Sequence, residues 1–147
     1  MDKRIKNIDQ YLKKMGFKEM GKFFIKNKQF IVECDEEFLS LKKMIYIHTI
    51  DGEILRVGTS KNELRSRMKS WETDVTKSLN NQKSGTPILE GQEWNKLLKN
   101  KTGILYGRQG TVIKTPVGEI NIYLSEESYL IGKHQPIMCK DRSRHKL

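Results

Sequence analysis

The stretch MIYIHTIDGEILRVG, residues 44–58, sets the architecture. Apolar and β-branched residues flank Asp51-Gly52, a pair suited to a tight turn, so the segment reads as a β-hairpin. Its register carries the functional question. A two-residue Asp51-Gly52 turn puts Tyr46 and Arg56 on opposite faces of the sheet. A three-residue Ile50-Asp51-Gly52 loop, with Gly52 left-handed, puts them directly opposite each other.

Downstream, Ser60 followed by Glu63 reads as a capping box that opens a helix. Leu64, Met68, Trp71 and Val75 form its apolar stripe, with Arg67 on one flank and Arg65 on the other. Thr86-Pro87 opens another helix through Trp94, Leu97 and Leu98. Strands are expected at 103–109 and 111–115, and a turn at Pro116-Val117-Gly118-Glu119 leads into a strand at 120–124. Upstream, Ile5, Ile8, Leu12 and Met15 recur at helical spacing, and Gly16 stops the helix. Phe23-Phe24-Ile25 and Phe30-Ile31-Val32 then flank a polar turn, so the sheet is expected to be mainly antiparallel.

The chain has 147 residues, enough for one sizeable core. Its 28 Lys and Arg against 18 Asp and Glu leave a net charge of +10, which favours a polyanionic partner through phosphate contacts and counterion release. No run of about 18 apolar residues is present, so no membrane partner is expected and a cytoplasmic location is. Cys34 and Cys139 are too few and too far apart for a disulfide framework or a zinc site.

A last helix follows, with Ser125 as its expected cap. On its wheel Glu127 shares a side with Leu130, Ile131 and His134, while Glu126 lies about a quarter-turn away. A carboxylate on a buried stripe needs a cation or hydrogen-bond donors. A metal ion is one answer and an ion pair with Arg or Lys the other.

The order of Met44-Ile45-Tyr46, Arg56-Val57-Gly58, the basic segment 61–69 with Arg67, and Glu-x-x-Leu-Ile-x-x-His-Gln-Pro at 127–136 resembles the GIY-YIG nucleases. The last motif is similar to that of the nuclease domains of bacterial excision-repair incision proteins. The segment Leu105-Tyr106-Gly107-Arg108-Gln109 looks more like the short phage endonuclease II and restriction-enzyme-like branch. The resemblance implies an α/β (α+β) fold with a central three-stranded antiparallel sheet flanked by helices. It divides the chain into an N-terminal helix and hairpin extension (1–42), the nuclease-like domain (43–140) and a basic tail (141–147). By the same resemblance Tyr46 matches the first-motif tyrosine, Arg67 the helix arginine and Glu127 the metal ligand.

The implied activity is hydrolysis of DNA phosphodiesters by an endonuclease of restriction, phage or mobile-element type, using Mg2+ or Mn2+ held by Glu127. Tyr46 would orient or deprotonate the attacking water, and Arg67 would clamp the scissile phosphate with its planar fork. Arg56 stands where the family has its second tyrosine, and supplies positive charge beside Tyr46 in the required register. His48, on the same strand face as Tyr46, is a further catalytic candidate. Lys61, Arg65, Lys69, Arg108 and His134 are candidate DNA contacts. Cutting both strands with one site per chain implies a homo-oligomer, dimer or tetramer, or sequential nicking. The Arg56 substitution also admits a non-catalytic nucleic-acid-binding module that keeps the fold.

Overall fold

The computed structural model describes residues 3–139, and the basic tail 141–147 lies outside the described residues. The hairpin at its centre pairs β3 (Met44–Ile50) with β4 (Glu53–Ser60). Its turn is the two-residue Asp51-Gly52, with φ of 50° and 82°. Two successive positive φ values match the twist of the flanking strands, and Gly52 adopts the second without steric cost.

Five strands form one antiparallel sheet in the order β2-β1-β5-β3-β4, where β1 is Lys18–Lys26, β2 Gln29–Cys34 and β5 Gly103–Gln109. Three strands were expected. The difference lies in β1, which pairs with its hairpin partner β2 and also with β5, about eighty residues on. The segment read as an extension thus supplies two strands of the same sheet. A separate ribbon joins β6 (Val112–Thr115) to β7 (Gly118–Asn121).

Helices cover both faces. On one, the short α2 (Glu36–Leu39), α3 (Leu64–Leu79) and α4 (Ile88–Leu97) bury Phe38, Met68, Trp71, Val75 and Trp94 against Phe23, Phe30 and Tyr46. On the other, α1 (Ile8–Lys14) and α5 (Tyr123–His134) bury Leu12, Leu130 and Ile131 against Ile45, Ile47 and Val57. All seven residues of β3 are buried, because its two faces serve two separate cores. Each buried aliphatic side chain there contributes roughly 1.5–3 kcal/mol relative to exposure.

Two helix starts differ from expectation. The residue preceding α3 is Glu63, which makes no side-chain cap bond, and Ser60 remains the buried end of β4. Helix α5 begins at Tyr123, inside the stretch expected to be a strand, and Ser125 falls within its first turn. Asn121 explains the earlier start: its Oδ1 accepts from the Tyr123 amide at 3.0 Å, satisfying a donor that the first turn leaves orphaned. No helix among the described residues is long and apolar enough to cross a membrane.

Candidate active site

Arg56 reaches the Tyr46 face by a device that neither simple register contains. Ile50 pairs with Glu53 and Thr49 with Ile54, but His48 pairs with Arg56, leaving Leu55 as an extra residue on β4. This β-bulge shifts the alternation by one, so the two-residue turn and a shared face for Tyr46 and Arg56 coexist. The residue opposite Tyr46 is Gly58 rather than Arg56.

Gly58 gives the tyrosine ring its place. A Cβ there would lie 2.6 Å from Tyr46 Cε1 and Cζ and 2.7 Å from Oη, so the ring lies flat against a position that only glycine leaves open. The phenol oxygen is then held from two sides. Arg67 Nε, from α3, donates to it at 3.1 Å. Arg56 Nη1 approaches it at 3.5 Å, with the guanidinium carbon 5.3 Å from the Trp71 ring centroid. Burial works against the Arg56 charge, but Tyr46, followed by Cys139 and Glu90, outweighs it and holds the guanidinium above its ordinary value.

The two arginines line a cleft of about 310 Å³, together with Trp71, Asp74, Glu90 and Cys139 among others, and the fully buried Tyr46 lies behind them. Arg67, Ser70 and Asp74 share a face of α3 by their i, i+3, i+7 spacing, a signal readable in the sequence that was missed. Glu90 comes from α4, and no local pattern announces its approach.

Glu127 is half-buried on α5, one turn before Ile131, which also lines the cleft. Its field reaches Cys139. Burial foremost pushes that thiol above its ordinary range, and the charges of Glu127 and Glu90 add to this, against the Val57 amide and Arg56. The Val57 amide donates to Cys139 Sγ at 3.4 Å, and Met138 N donates to the Leu55 carbonyl at 2.9 Å. The chain after α5 thereby closes against the bulge. Among the described residues, no three His, Cys, Asp or Glu side chains gather as a metal-holding group.

Several candidates from the sequence stand elsewhere. His48 is fully buried between Phe23, Trp71 and Trp94, its ring centroid 4.0 Å from that of Trp71, and neither ring nitrogen meets a partner or solvent. Burial first, and the Arg56 charge second, keep it neutral with a pKa well below the ordinary value. It supports the Tyr46 ring from behind and does not face the cleft.

Arg108 is also not a surface contact. Its Nη2 pairs with Glu126 Oε2 at 2.6 Å, and its guanidinium lies 5.0 Å from the Phe17 ring centroid. Glu126 additionally accepts from Thr111 N at 2.7 Å and Thr111 Oγ1 at 2.8 Å. His134 is half-buried and its Nε2 meets Tyr11 Oη at 3.0 Å, tying α1 to α5. Lys61, Arg65 and Lys69 are exposed. Helical spacing turns Arg65 and Lys69 away from Arg67, and Arg65 bonds Glu36 at 3.0 Å, so the structure does not bring these two to the cleft.

The fold is one used by nucleases. The chain is similar to EndoII of bacteriophage T4, with a TM-score of 0.61 and 17% identity over 90% of this chain and 98% of that one. It is also similar to the restriction endonuclease HPY188I, solved in complex with product DNA, with a TM-score of 0.54 and 18% identity over 93% and 87% of the two chains. No family model and no curated protein matches the sequence.

Proposed function

We propose that the protein is a metal-dependent DNA endonuclease of the GIY-YIG type. The observation that carries this reading is the single phenol oxygen of Tyr46, laid across Gly58 and bonded by Arg67 at 3.1 Å beside Arg56 at 3.5 Å, two cations that line a cleft directly in front of it. Two nucleases share the surrounding fold. The +10 net charge suits a phosphate backbone.

Tyr46 orients the attacking water and takes its proton. Arg67 spends its Nε on Tyr46, which leaves the other edge of its planar fork for two oxygens of the scissile phosphate. Charge that builds on those oxygens is stabilised there by a donor already in place. Arg56, clamped on Trp71, fixes the phenol from the second side and adds positive charge where the phosphate enters.

The donor set suits a hard divalent ion. Glu127 is half-buried one turn before Ile131 of the cleft wall, and the acids that line the cleft, Asp74 and Glu90, are likewise oxygen donors, while the Cys139 sulfur is tied to the Val57 backbone. Glu127 would hold Mg2+ or Mn2+, which when bound supplies Lewis-acid polarisation of a phosphate oxygen.

The test is cleavage of plasmid DNA with and without Mg2+, using the wild type, Glu127→Gln and Arg67→Lys. Glu127→Gln should abolish cleavage and leave DNA binding nearly intact, because the shape is kept and the ligand charge is lost. Arg67→Lys should lower turnover about a hundredfold, the scale of losing one preorganised donor. Full Mg2+-dependent cleavage by Glu127→Gln would remove the metal role.

A further inference from the structure

The main sheet closes its own borders, and the small ribbon does not. On the outer edge of β2, α3 supplies the acceptors: Val32 N donates to Glu72 Oε2 at 2.8 Å and Phe30 N to Thr76 Oγ1 at 3.0 Å. On β4, Met138 and Cys139 take that place. The ribbon of β6 and β7 stands apart from both. Val112, Ile113, Lys114, Gly118, Glu119 and Ile120 are all exposed, and among the described residues no hydrogen bond from another strand or helix reaches residues 112–120. A two-stranded ribbon is marginal in water by itself and needs further strands or a packed face to persist.

The ribbon is apolar on one face and balanced in charge. Ile113 and Ile120 are opposite in register, so both side chains rise from the same face, where they are 40% and 42% exposed. Val117 at the turn, and Leu124 three residues beyond the ribbon, are exposed as well. From Gln109 to Ser125 the sequence holds one cation, Lys114, and one anion, Glu119, which share the other face. The flanking Arg108 and Glu126 neutralise each other. A chain of net charge +10 repels its own copy, so a self-contact has to form where charge is balanced. The same balance counts against a phosphate backbone, which selects for cations.

We infer that the face carrying Ile113 and Ile120 is the contact through which two copies of this chain pair. With a two-fold axis along the ribbon, β6 of each copy lies over β7 of the other. Ile113 of one then packs on Ile120 of the second, and Ile120 on Ile113, as an isologous contact requires. Lys114 and Glu119 stay in water on the outer faces. Four strands enclose the apolar side chains that two leave exposed. The pairing is independent of the nuclease reading. Its consequence rests on that reading: two clefts held in one particle cut both strands in one encounter, which a single cleft does by successive nicks.

Sedimentation velocity across a concentration series, with plasmid cleavage in parallel, tests the contact on the full chain. The wild type should form dimers at micromolar concentration. Ile113→Thr/Ile120→Thr, which keeps β-branched side chains in both strands, should raise the dimer dissociation constant about tenfold or more. Its nicking rate should be unchanged, since neither residue lines the cleft, but nicked circles should now precede linear product. Ile113→Lys/Ile120→Lys and Ile113→Glu/Ile120→Glu should each be monomeric. An equimolar mixture of these two should recover dimers, because the two-fold contact sets unlike charges opposite each other. A wild type that stays monomeric, or a threonine variant as tightly paired as the wild type, would overturn the contact and leave the nuclease standing. A mixture that stays monomeric while both chains keep their circular-dichroism spectra would overturn the two-fold arrangement. A threonine variant of unchanged mass that binds duplex DNA more weakly would give the ribbon to DNA and overturn the pairing. A wild type that pairs through the ribbon and leaves DNA uncut would remove the nuclease reading and keep the contact.

Discussion

Replacing Gly58 with alanine tests the site at its tightest point. The added Cβ would meet Tyr46 Cε1 and Cζ at 2.6 Å, where carbon atoms prefer about 3.5–4.0 Å. The ring has to retreat by roughly 1 Å, and it is fully buried with His48 behind it, so no vacant space receives it. Overpacking of this kind costs about 1–3 kcal/mol. Breaking the Arg67–Tyr46 hydrogen bond adds about 1.5–3 kcal/mol, and replacing a strand glycine returns about 0.5–1 kcal/mol. The expected net loss is about 1.5–5.5 kcal/mol, which for a chain of this size lowers the melting temperature by about 5–15 °C. Cleavage should fall about a hundredfold, since the phenol oxygen moves by roughly 1 Å. Thermal melting by circular dichroism and a plasmid-cleavage time course measure the two effects. In combination with Tyr46→Leu the loss of stability should be smaller than the sum, because the clash is then absent. A Gly58→Ala protein that melts within about 1 °C of the wild type and cuts at its rate would refute the placement of the ring.

Glu126→Gln should destabilise the fold by about 1–3 kcal/mol, because it leaves the half-buried Arg108 without its charge partner. Burial alone would raise the Glu126 pKa, but Arg108 and Thr111 outweigh it and lower it, so this stability is present above the ordinary value of 4.5 and is lost as the pH falls through the folded value. Urea unfolding at pH 7 and below pH 4 should therefore show the gap between wild type and variant closing on acidification, and a constant gap would contradict the ion pair. His48 has the opposite charge chemistry and a related outcome. Its pKa is depressed in the fold, so below about 6.5 the unfolded chain takes up a proton that the native chain refuses, costing at most about 1.4 kcal/mol per pH unit. His134, also depressed by burial and by Lys133, adds a contribution of the same sign, so His48→Met should flatten the stability curve below pH 6.5 without abolishing its slope.

The hairpin was legible because Asp51-Gly52 is a local turn signal, whereas the bulge was not. Leu55 gives no sign of being an extra residue, since Ile54, Leu55 and Val57 are all apolar and both faces of β4 are covered. The same two-sided burial erases the alternation along β3. Tyr46, Arg56 and Arg67 were singled out by residue type and order, whereas their convergence on one oxygen was not legible. Arg108 and His134 were read as surface cations because a sequence shows charge but not its partners, Glu126 and Tyr11, which come from other elements of the fold. The five-stranded sheet escaped for a related reason, as the β1–β5 pairing joins segments that share no local pattern.

The strand that carries Arg56 and Gly58 is the last in its sheet, yet its outer rim is occupied. Met138 bonds the Leu55 carbonyl and Cys139 accepts from the Val57 amide, so residues 138–139 sit where another chain's strand would otherwise add. The same two residues form part of the cleft wall. During synthesis β4 therefore emerges as a bare, adhesive border, and remains so while some eighty further residues are made. Sealing that border and finishing the cleft are one event, so a nascent chain short of residue 138 has an open rim and an unfinished cleft.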